Sequence, residues 1–151
     1  MPDVIVHLTT ATSTRILHAR SGTSIESAMA KEYGGAGGAF SSTDLLAAAL
    51  GSCIATNIGP VADRHGIPLD AFELSVEKEL SPQPKRVIRL DVEIRCRAQV
   101  SPGVQARLAR AAESCTVLRS LDPAMQHSIR FTCPELEVSE SSVLLPGSRD
   151  R

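Results

Sequence analysis

The sequence predicts an α+β fold in a single domain, with antiparallel strands and one long central helix. Three observations carry this. Residues 41–66 form a long helical pattern in which Leu45, Leu46, Ala49, Leu50, Ile54 and Ile58 recur at three-and-four spacing. The segments before and after it alternate with a period of two, as half-buried strands do. The order of elements is strands, long helix, hairpin, helix pair, strand, without the βαβ repeats of a parallel sheet. The 151 residues suffice for one moderate core, and no repeat or long linker divides them.

The elements follow in order. Residues 3–20 hold two extended stretches, VIVHL and STRILHAR, and Ser21-Gly22 marks a turn. SIESAMAKEY fits either a strand or a short helical turn. GGAGGAF, residues 34–40, is a glycine-rich loop without the flanking pattern of a phosphate-binding loop. The long helix then starts on Ser41, Ser42 or Thr43, all good N-caps. Asp44, three residues after Ser41, completes a capping box and places a negative charge on the positive end of the helix dipole. Gly66 and Pro68 mark its end, and Pro60 predicts a kink or a break. This helix carries Cys53 on what the pattern makes its buried side.

Beyond the helix, AFELSVEKEL and VIRLDVEIRCRAQV flank the turn SPQPKR as an antiparallel hairpin with one buried face. Phe72, Leu74 and Val76 share that face, and so do Leu90, Val92, Ile94, Cys96, Ala98 and Val100; Val87 and Ile88 break step. Residues 104–115 are an amphipathic helix with Val104, Leu108, Ala111 and Ala112 inside. TVLRSLDPAM continues as a short helix closed by Asp122-Pro123. HSIRFTC is a last strand with Ile129, Phe131 and Cys133 inward, and PGSRDR is a frayed end.

Composition excludes several function classes. The formal net charge is -1, which offers no basic surface for nucleic acid or acidic membrane. Aromatic residues make up 3% of the chain, with no Trp, so there is no platform for stacking bases. No apolar run reads as a membrane span, and no basic stretch precedes an apolar block at the N-terminus, so the expected location is cytoplasmic. In that setting the four cysteines read as thiols, not a disulfide scaffold, and none has the spacing of a metal site. Cys96 and Cys133, at inward strand positions, read as packed thiols. Cys53, beside the small Gly51-Ser52 pair, and Cys115, at a helix start where backbone N–H groups lower a thiol's pKa, are the candidates for chemistry. Their wide separation excludes a local redox motif. The four histidines are scattered, and none lies near Cys53 in sequence to serve a cysteine hydrolase.

The run GGAGGAFSSTDLLAAALGSC resembles the first active-site motif of the OsmC/Ohr family of hydroperoxide reductases. AESCTVLRSL, residues 112–121, resembles the family's second, CPV-type motif, with Thr116 where proline is common. The resemblance spans roughly residues 20–133. It implies an intertwined homodimer and a thiol peroxidase that reduces organic hydroperoxides. Cys53 would be the peroxidatic cysteine and Cys115 the resolving one, with an external dithiol, of lipoyl type in the family, as reductant and no bound cofactor or metal. An arginine from the N-terminal strands would hold the thiolate, Arg20 first and Arg15 second. Asp44 would stand where the family has a glutamate that fixes this arginine. The peroxidatic role requires thiolate near neutral pH and so demands a cation near Cys53, because burial on an apolar helix face would otherwise raise its pKa. A non-catalytic binding module on the same fold is the alternative.

Overall fold

The structure is a computed structural model and describes residues 2–134. Its centre is α1, Ser42–Arg64. The Ser41 hydroxyl accepts the Asp44 N–H at 3.2 Å, and the Asp44 carboxylate accepts the Ser41 N–H at 2.7 Å, which is the capping box expected from sequence. Ala47, Leu50, Ile54, Ile58 and Ala62 form the buried stripe, with Leu50 and Ile54 fully enclosed. Each of those two contributes about 1.5–3 kcal/mol of apolar burial. Gly66, at φ +66°, takes the left-handed conformation just past the helix end.

Three expectations for this helix change. It runs through Pro60 without a break. Proline removes only one intrahelical donor, and the buried Ile58 and Ala62 on either side hold the helix against the core. Cys53 is half-buried at the edge of the stripe; Leu50 and Ile54 take the fully buried positions around it. Finally, α1 is long and apolar enough by composition to cross a bilayer, contrary to the sequence reading, but its apolar stripe is spent in the protein's own core.

Before α1, β1 (Val4–Thr10), β2 (Ser13–His18) and β3 (Ser24–Ala28) form an antiparallel sheet in that order. The ambiguous SIESAMAKEY segment divides into β3 and a single 3₁₀ turn at Lys31–Tyr33. The glycine loop is packed at one point: a Cβ on Gly35 would lie 1.8 Å from the Met29 carbonyl oxygen, so only glycine fits there. The loop ends where Phe40 bridges Ser27 and leads into α1.

After α1, β4 (Phe72–Ser81) and β5 (Arg86–Cys96) form the long antiparallel hairpin. A register shift after Glu79, where Leu80 pairs with Val87, explains why Val87 and Ile88 fall out of step. α2 (Pro102–Glu113) follows, and the expected continuation shrinks to one turn, α3 (Thr116–Arg119). β6 (Gln126–Thr132) then joins β5 in parallel, the one parallel pairing among the described strands. The α2–α3 crossover makes that direction possible, since a tight turn allows only antiparallel return. Leu90, Val92 and Ile94 of β5 and Leu108 and Ala112 of α2 close on α1 to make the core. The expected frayed end, PGSRDR, lies outside the described residues.

Candidate active site

The two candidate thiols are brought together by the packing of α1 against α2 and α3. α2 stops at Ser114, whose hydroxyl donates back to the Ala111 carbonyl at 2.7 Å. The chain then turns at Cys115, which is extended (φ -59°, ψ 123°) and caps α3; its Sγ accepts the Leu118 N–H at 3.4 Å. Cys115 is fully buried. The N–H groups of Thr116 and Val117, at the first two positions of α3, are of the kind a helix leaves without an intrahelical partner. They face Cys53, as does the Cys115 side chain.

This arrangement separates the two thiols chemically. The Cys115 side chain, then the Val117 and Thr116 amides, hydrogen-bond to the Cys53 sulfur and lower its pKa, outweighing partial burial. Burial pushes the Cys115 thiol up, and the neighbouring Cys53 pushes it further. The two titrate as a pair, and the first proton leaves from Cys53. Of the two sulfurs, Cys53 is thus the one favoured as thiolate and Cys115 the one favoured as thiol. The groups that favour the thiolate are the Cys115 thiol and two backbone amides, so the cation demanded by the sequence argument is not what lowers the pKa within one chain.

The other two predicted residues lie elsewhere. Arg20 is exposed and pairs with Asp3 at 3.3 Å. Arg15, the second candidate, pairs with Glu26 at 3.1 Å. Neither is among the groups acting on Cys53. Asp44 sits at the start of α1, nine residues before Cys53, or roughly 13 Å along the axis. Its partner is Lys78 of β4, and that ion pair with the Ser41 contacts lowers its pKa to about 2. Lys78 was missed from sequence, although a signal exists: it occupies an inward position of β4, where Phe72, Leu74, Val76 and Leu80 are apolar. Leu50 is fully buried in the core and cannot line an open site beside Cys53. Among the described residues no cluster of His, Cys, Asp and Glu could hold a metal ion.

A family model described as "OsmC-like protein" matches residues 35–130, most of the chain and both cysteine motifs. The chain belongs to the OsmC family. Solved structures agree with this. An OsmC-fold protein of Psychrobacter arcticus, provisionally described as an osmotic stress induced and detoxification response protein, is 27% identical. The match covers 87% of this chain and 96% of that one with a TM-score of 0.82. An organic hydroperoxide resistance protein OsmC of Legionella pneumophila is 19% identical over 88% of this chain and 97% of its own, with a TM-score of 0.65. An organic hydroperoxide resistance protein of Elizabethkingia anophelis is 13% identical over 89% and 98%, with a TM-score of 0.63. The last two likenesses show the fold. No curated protein matches the chain in sequence. Family membership points to a redox or peroxide-resistance role at the level of the family.

Proposed function

We propose that this OsmC-like chain is a cysteine-based reductase of organic hydroperoxides, acting in oxidative-stress defence. The observation that carries the reading is the pairing of a half-exposed Cys53, held toward thiolate, with a buried Cys115, held as thiol. The Cys53 thiolate attacks the distal oxygen of ROOH, the O–O bond breaks, and ROH leaves once protonated. Cys53 is now a sulfenic acid. The Cys115 sulfur attacks it, forms the Cys53–Cys115 disulfide and releases water. An external dithiol restores both thiols by exchange and leaves as its own disulfide. Backbone amides suit this role because they stabilise negative charge on sulfur without a side chain that peroxide could oxidise.

The reading includes a homodimer. β1–β3 make no substantial contact with other elements among the described residues, and one face of this sheet exposes Val4, Val6, Leu8 and Ile25. An open groove of about 440 Å³ runs between α1 and β4, lined by Phe40, Ala48, Gly51, Ala55, Leu74 and Val76 among others. A second copy's sheet laid over this groove would cover both apolar surfaces. The likeness to the family adds an arginine, Arg20 first and Arg15 second, near Cys53 in the assembled dimer. Asp44 then acts at a distance, through the start of α1. A hydroperoxide-consumption assay with cumene hydroperoxide and dithiothreitol tests the reading. Turnover that disappears in Cys53→Ser supports it; a wild-type chain that consumes no hydroperoxide while its Cys53 is alkylated normally overturns it.

A further inference from the structure

The remaining two cysteines, 37 residues apart in the chain, also meet. Parallel pairing of β5 with β6 runs up to Arg95 opposite Thr132, so the next pair in register is Cys96 opposite Cys133. Ile94 and Phe131 point into the core and Arg95 and Thr132 point away, so by alternation Cys96 and Cys133 return to the inner face together. Directly opposed residues on neighbouring strands lie about 4.8 Å apart, within the roughly 4.4–6.8 Å between Cα atoms that a disulfide spans. Cys133 is one residue past the end of β6, so its backbone is free of the ladder and can adjust. Burial, and then the neighbouring Cys96, push the Cys133 thiol up to about 12.

We propose that Cys96 and Cys133 are a second dithiol, closing into a slow-forming and stable disulfide separate from the Cys53–Cys115 pair. The oxidant is a low-molecular-weight disulfide. The half-buried Cys133 loses its proton and attacks one sulfur of that disulfide, releasing the first small thiolate. Cys96 then loses its proton and attacks the Cys133 sulfur, releasing the second. Two protons pass to the two departing thiolates, so the products are one protein disulfide and two small thiols.

The rates and stabilities of the two pairs differ for one physical reason. Thiolate is scarce at Cys133, so attack is slow. The same scarcity means that the reduced pair gains nothing from a stabilised thiolate, so the disulfide resists reduction. At Cys53 the thiolate is favoured, which suits a pair that must reopen each turnover. The segment enclosed between Cys96 and Cys133 contains α2, Cys115 and α3. The bond would therefore staple the base of the segment that carries the resolving cysteine.

The test uses the full-length Cys53→Ser/Cys115→Ser variant incubated with oxidised glutathione. Both remaining thiols are expected to disappear from a thiol titration in denaturant without glutathione retained, and peptide mapping is expected to join Cys96 to Cys133. Closure of this long loop is expected to raise the Tm by about 5–10 °C. Persistent free thiols, glutathione held on Cys133 or a bond between two chains would each overturn the proposal. Should the variant fail to fold, mapping on the oxidised unsubstituted chain decides. After brief treatment with a dithiol, Cys53–Cys115 is expected to be open and Cys96–Cys133 still closed; opening of both together overturns the proposal.

Discussion

Replacing Thr116 by proline isolates the contribution of one backbone amide to the reactivity of Cys53. Thr116 is the first residue of α3, a position where proline is tolerated. Cys115 before it is already extended, as a residue preceding proline must be. The Thr116 side chain is exposed, so the substitution removes an N–H and little else. A hydrogen bond to a charged group is worth about 1.5–3 kcal/mol. Cys53 is half-exposed, so water replaces part of that, leaving roughly 0.7–1.4 kcal/mol. With 1.36 kcal/mol equal to tenfold in ionisation, the thiolate population of Cys53 at neutral pH falls about three- to tenfold. The sign follows from the charge: losing a donor to the thiolate raises the pKa. The assay is the pH dependence of iodoacetamide alkylation of Cys53, followed by peptide mapping. Thr116→Ala keeps the amide and is expected to alkylate within about twofold of the unsubstituted chain at every pH. The reasoning is refuted if the proline profile overlays the unsubstituted one, or if alanine moves it as far as proline does.

The remaining predictions concern the other site residues. Cys53→Ser abolishes hydroperoxide turnover, whereas Cys115→Ser gives a single turnover and accumulates sulfenic acid, read with a dimedone-type trap and mass spectrometry. Asp44→Ala removes the carboxylate half of the capping box and costs about 1 kcal/mol, a Tm lower by about 2–4 °C, with the exposed part of the Lys78 pair adding little. Because the folded-state pKa of Asp44 is depressed to about 2, its electrostatic share is present above the unfolded value near 4. That share is lost as pH falls from there toward about 2, which denaturation midpoints across that range will read. Light scattering at micromolar concentration is expected to give a dimer. In that dimer Arg20→Ala is expected to lower activity at neutral pH by roughly one to two orders of magnitude; a monomer, or full activity in both the Arg20→Ala and Arg15→Ala chains, removes the arginine from the mechanism.

What could be read from the sequence depended on how local its cause was. The start of α1 was legible because Ser41 and Asp44 satisfy each other across three residues. The β4–β5 hairpin was legible because its alternation names the buried face directly. The parallel direction of β6 was not, since it depends on where the α2–α3 crossover delivers the chain. The pairing of Cys96 with Cys133 was hidden for the same reason. Cys53 and Cys115 could be nominated from their two motifs, but the source of thiolate stabilisation could not. The donors are the Cys115 thiol, which only tertiary packing brings to Cys53, and main-chain amides, which every residue except proline carries. Thr116 was the readable clue: where the resembled motif has proline, this chain keeps an N–H, and that N–H faces Cys53.

Exposure and protonation impose the same order on the two thiols. Cys115 is fully enclosed, with its sulfur already accepting the Leu118 N–H, so a hydroperoxide in solvent cannot reach it first. Cys53 is open at the edge of the α1 stripe, and its proton is the first to leave. Either factor alone would allow a fraction of events in which the buried sulfur is oxidised first. Acting together, they confine sulfenic acid to the one sulfur that has a protonated thiol beside it. In the proposed cycle the move from sulfenic acid to disulfide takes Cys115 away from the Leu118 amide, and the Thr116 and Val117 amides lose their charged acceptor once Cys53 is oxidised. Their preference for the thiolate would then favour the reduced pair over the disulfide, which suits a site reopened by an external dithiol in every cycle.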